Sequence, residues 1–95
     1  MPTIIISSSI KEKLANKHGV TGREVEQCFE NRVGLFVEDD REEHRTDPAT
    51  LWFVSKTNCN RTLKVVFVPI DGNIHIKTAF EPSVEVIALY EAVGR

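Results

Sequence analysis

Six residues of this chain have side chains suited to acid–base or electrostatic chemistry without a metal: His18, His44, Arg61, Lys64, His75 and Lys77. His75 and Lys77 stand two apart in an alternating stretch, so they share one face of a strand, and Lys64 on the neighbouring strand can join them. An ammonium or guanidinium stabilises charge that develops on phosphorus, while a neutral imidazole can move the proton of an attacking hydroxyl. These residue types therefore suit metal-free RNA cleavage, with His75 and Lys77 flanking the scissile phosphate and Arg61 or Lys64 holding neighbouring charge. The acidic segment with Asp40, Glu43 and His44 offers the general base. A solvated sheet face and a solvated acidic loop satisfy the same sequence, and an acidic loop beside a basic sheet could also dock a basic partner segment. His18 precedes Gly19 at a helix end, where an imidazolium caps the last carbonyls.

Other chemistries find less to work with. Cys28 and Cys59 lack the close thiol pairs of zinc motifs, and no two histidines stand at ligand spacing, so neither metal nor cofactor is expected. There is no glycine-rich phosphate loop and no G-x-S-x-G elbow. Cys28 falls on an apolar helix stripe, where a thiol behaves as a small apolar group, and Cys59 falls in a turn.

The elements that must position these residues are legible in the patterning. Ile4 to Ile6 is a short β-branched run, and Ser7 to Ser9 then offers caps for a helix from about Ile10 to His18, with Gly19 as its left-handed stop. Thr21 with Glu24 three residues on is a capping box, and Val25, Cys28 and Phe29 continue it at helical spacing to about Asn31. Val33 to Val37 reads as another short strand. Beyond Asp47-Pro48 the period is two, through Leu51 to Thr57, Thr62 to Ile70 and Ile74 to Phe80: a three-stranded antiparallel meander. Val65 to Val68 is apolar on both sides, which makes that strand central. Pro82 opens a C-terminal helix whose stripe is Val86, Leu89, Tyr90 and Val93.

The expected fold is α+β: one domain over residues 1–95, a curved antiparallel sheet formed by the 51–80 meander and short N-terminal strands. Two N-terminal helices and one C-terminal helix pack on it. At 95 residues, 41% apolar and 27% charged, the chain suits one small soluble domain with little spare core for a large cofactor. No apolar run approaches the roughly 18 residues of a membrane span, and no secretory signal is evident, so a cytoplasmic protein is expected. The formal charge of −2 conceals a −4 segment, Glu38 to Asp47, set into a body at +2. A basic footprint for nucleic acid is therefore only local.

Lys17-His18-Gly19-Val20, the spaced Glu24, Val25 and Phe29, Asp40 with Glu43 and His44, Arg61 to Val68 and Leu89-Tyr90-Glu91 together resemble the BrnT family, toxins of bacterial toxin–antitoxin pairs with a RelE-type ribonuclease fold. The resemblance spans nearly the whole chain through short motifs. It implies a compact domain, RNA cleavage without a metal, and a DNA-binding antitoxin partner of ribbon-helix-helix type. Such toxins usually carry an arginine late in the meander, where this chain reads Ile76-Lys77-Thr78-Ala79-Phe80-Glu81-Pro82, with Phe80 in its place. A non-catalytic interaction domain on the same scaffold is the alternative. A third reading comes from a similar sub-branch labelled as ADP-ribosyl-(dinitrogen reductase) hydrolases, an activity that requires a metal pair.

Overall fold

The computed structural model describes residues 3–39 and 49–94. The elements are β1 (Ile4–Ile5), α1 (Ser8–Lys13) continued by a π-helical segment (Leu14–His18), α2 (Gly22–Glu30), β2 (Val37–Glu38), β3 (Leu51–Lys56), β4 (Thr62–Ile70), β5 (Asn73–Phe80) and α3 (Val84–Val93). Each helix starts on an expected kind of cap. Ser7 Oγ accepts from the Ile10 amide, Thr21 and Glu24 close a reciprocal capping box, and Ser83 Oγ accepts from the Val86 amide. Helix α1 begins earlier than its apolar stripe suggests, because Ser7 rather than Ser9 caps it, and its last turn is widened. There the Gly19 amide donates to the Ala15 carbonyl and the Val20 amide to that of Leu14, with Gly19 left-handed at φ 62°.

The strands form one sheet in the order β1-β5-β4-β3-β2, so the Val-rich β4 is central, as its two-sided apolar pattern predicts. The 51–80 meander is antiparallel throughout, whereas β1 runs parallel to β5 and makes the sheet mixed. The expected strand over Val33 to Val37 shrinks to Val37–Glu38, because the segment before it leaves the sheet plane and is held by other partners. Leu35 donates its amide to the Gly94 carbonyl, and the Tyr90 hydroxyl donates to the Leu35 carbonyl at 2.7 Å. The chain passes there without side chains at Gly34, where a Cβ would run into the Tyr90 hydroxyl and stand 2.8 Å from the Gly94 carbonyl oxygen.

One sheet face carries Phe53, Leu63, Val65, Phe67, Ile74, Ile76 and Ala79, all buried, under α1 and α2. Phe29 of α2 meets Phe53 and Phe67 edge-on at 4.7 and 5.5 Å, and Phe36 closes the cluster at 5.4 and 5.0 Å from the same two rings. The opposite face carries Trp52, Val54, Lys64, Val66, Val68 and His75, with α3 laid over its β3 side and Tyr90 stacked at a tilt 5.6 Å from Trp52.

A bulge interrupts β5. Val66 pairs with Thr78 but Phe67 pairs with Ile76, so Lys77 has no partner in the register. The inserted residue reverses the alternation beyond it. Strict period two places Phe80 with Ile74 and Ile76 against the core; the bulge instead sends Phe80 to the Lys64 face.

Candidate functional site

Arg61 directly precedes β4 and reaches across to three segments far from it in sequence. Its Nη1 donates to the Gly19 carbonyl at 2.8 Å and to both Glu24 carboxylate oxygens at 3.1 and 3.3 Å. Its Nη2 donates to the His18 carbonyl at 3.1 Å and to Glu81 at 3.4 Å. The guanidinium thus caps the end of the π-helical segment while pairing with the capping box of α2. Burial raises the Glu24 pKa, but the Thr21 amide and Arg61 more than reverse this and hold the carboxyl below its usual value. Burial likewise works against the Arg61 cation, and Glu24 followed by Glu81 overcomes it.

Held by that clamp, the His18 imidazole lies 5.6 Å from the Phe80 ring, centroid to centroid. Partial burial, then Lys17 and Lys13, pull its pKa below the ordinary histidine value, which favours the uncharged ring. The Lys64 Nζ lies 4.6 Å from the Trp52 ring centre and 5.9 Å from that of Phe80. The arrangement puts a proton acceptor and a cation around one ring at the end of β4 and β5. Such a pair can deprotonate a hydroxyl and stabilise an anion.

The expected patch of His75, Lys77 and Lys64 divides. His75 and Lys64 do share a face, but His75 pairs with Val68, four residues along β4 from Lys64, or about 13 Å at the rise of a strand. Lys77 is exposed at the bulge. Glu43 and His44, with Asp40, lie outside the described residues. Arg61 and Lys64 stand at the same end of the sheet as His18, which the sequence offers both as a helix cap and among the side chains suited to acid–base chemistry. Nothing in the sequence links His18 to Phe80, since the two lie far apart along the chain and meet only through the fold.

Comparison with protein-family models, curated proteins and solved structures finds no match to this chain. Among the described residues no group of three or more His, Cys, Asp or Glu side chains is placed to hold a metal ion. Burial pushes the Cys28 thiol up to about 11, which leaves it protonated and unreactive at neutral pH; Cys59 is exposed. Among the described residues no helix is long and apolar enough to cross a membrane.

Proposed function

We infer that the chain is a BrnT-like toxin-type protein that cleaves RNA without a metal, paired with an antitoxin of ribbon-helix-helix type. The observation that carries this reading is the placement of the His18 imidazole and the Lys64 ammonium around the Phe80 ring. In the reaction, His18 takes the proton of a ribose 2′-hydroxyl and the 2′-oxygen bonds to the adjacent phosphorus. The bond from phosphorus to the 5′-oxygen then breaks, and that oxygen takes a proton from solvent. The products are a 2′,3′-cyclic phosphate and a 5′-hydroxyl. Lys64 stabilises the added negative charge on the phosphoryl oxygens as the pentacoordinate state forms. Arg61 is a positioning residue: it is engaged by Glu24, Glu81 and two carbonyls, and it fixes the His18 backbone.

Phe80, where the family carries an arginine, moves the cationic role to Lys64. The local site also fits the modest overall charge, since one cation beside one imidazole needs no broad basic surface. Expression in growing bacterial cells tests the reading. The wild type should slow growth, and His18→Ala or Lys64→Met should relieve the slowing. The double variant His75→Ala, Lys77→Ala should still slow growth, because those residues stand away from the site. Equal growth of cells with the wild type and His18→Ala would remove the proposal.

A further inference from the structure

Between α3 and the β2–β3 edge runs a groove of about 490 Å³, within the range of sites that hold a small molecule. Val37, Trp52, Leu89 and Val93 give it apolar walls, and Lys64, Asp39 and Glu38 line it too. Since Lys64 is the cation of the proposed site, the groove continues that site across the sheet. Glu38 is exposed, whereas Asp39 is only 8% exposed. The Asp39 amide donates to the Thr50 carbonyl at 2.8 Å, and alternation puts its side chain on the face of Val37, Trp52 and Lys64. Lys64 pairs with Val54, four residues along β3 from Thr50, or about 13 Å at the rise of a strand. Its Nζ reaches back to 4.6 Å from the Trp52 ring centre. A buried carboxylate and an ammonium thus face one apolar trough, separated by no more than the reach of one nucleotide.

These three features together select the occupant. A nucleotide brings a flat ring to the apolar walls, a hydrogen-bonding edge to the carboxylate and a phosphate to the ammonium. Among the four bases only guanine presents two adjacent donors on one edge, N1–H and the 2-amino group, and a carboxylate accepts both in parallel. With two oxygens and about four acceptor positions, a carboxylate does so alongside any bond it makes within the chain. His18 lies by Phe80 on the β5 side of Lys64, and the groove lies on its β3 side, which sets the direction of the strand. We propose that the groove holds the guanine of the nucleotide on the 3′ side of the scissile phosphate, so that the chain cuts RNA immediately before a guanosine. The inference rests on the RNA-cleaving reading and adds to it a base specificity set by Asp39.

Trp52 is the only tryptophan of the chain and lines the groove, so its fluorescence reports an occupant there. Guanosine 5′-monophosphate should change the emission of the full chain with an affinity about tenfold above those of the adenosine, cytidine and uridine monophosphates. Inosine 5′-monophosphate, which keeps N1–H but lacks the 2-amino group, should fall toward the other three. Guanosine without its phosphate should bind more weakly, and added salt should narrow that gap. Asp39→Asn should abolish the preference for guanosine. Leu89→Asp, at a half-exposed wall position, should weaken all four nucleotides, and circular dichroism checks that both variants fold. Equal binding of all the nucleotides, or of none, would overturn the inference. So would a dimer in sedimentation that Leu89→Asp abolishes, since a second copy would then fill the groove. Mapping the ends of fragments cut from an RNA of mixed sequence separates this inference from the reading it rests on. Downstream fragments that begin at guanosine support both, and cleavage with no base preference would overturn the inference alone. Guanosine-selective binding without cleavage would support the guanine site and remove the cleavage reading.

Discussion

Arg61 shows how much one side chain can hold at this size. Its side chain is about one-quarter exposed, as is that of Glu24, and its donors satisfy two carbonyls at a helix end as well as a carboxylate. Arg61→Ala should therefore cost about 2–3 kcal/mol, read from the denaturant midpoint, with Arg61→Lys recovering only part because a lysine cannot span the same acceptors. The pH dependence on the acid side follows from Glu24 and His18. Glu24 has a folded pKa below its unfolded value of about 4.3, so its stabilisation is present above that value and lost as pH falls through the folded pKa. Glu24→Gln should flatten the acid limb of the stability curve. His18 is also lowered, so the unfolded chain binds its proton first, and acidification below about 6.5 erodes stability. A proton NMR titration of His18 should give a midpoint below that of a free histidine. Of the two thiols, only Cys59 should react with a disulfide reagent at neutral pH in the native state.

At the level of elements, the parts that read correctly from sequence depend on neighbours close along the chain. The Thr21–Glu24 box, Gly19 at the stop and the three meander strands each rest on residues a few positions apart. The β5 bulge is different: nothing in Ile76-Lys77-Thr78 breaks the period, and the slip arises from how β5 pairs with β4. The path of the segment before β2 was equally hidden, because its partners Tyr90 and Gly94 come from the far end of the chain. Gly34→Ala should cost about 1–3 kcal/mol by forcing Tyr90 or the loop to move, with a matching fall in melting temperature. Within β3, Ser55 Oγ is buried with no partner among the described residues, so Ser55→Ala should leave stability unchanged or raise it by about 1 kcal/mol in denaturant melts.

Across the whole molecule, the sheet separates two surfaces. Its α1–α2 side carries the aromatic cluster, while Lys64 stands on the other side, near Trp52 and Phe80 and on the wall of the groove beside α3. Of the candidate site, His18, Arg61 and Lys64 are all among the residues whose types the sequence singles out for such chemistry. It assigned the proton acceptor to the acidic segment or to His75, since only the folded chain brings His18 to Phe80. The most direct measurement is cleavage of a single-stranded RNA by purified protein in excess chelator, followed by end-group analysis. The wild type should release fragments ending in 2′,3′-cyclic phosphate, and His18→Ala should lower the rate by about 10²-fold or more. Undiminished cleavage by His18→Ala, or no cleavage by the wild type, would contradict the assignment.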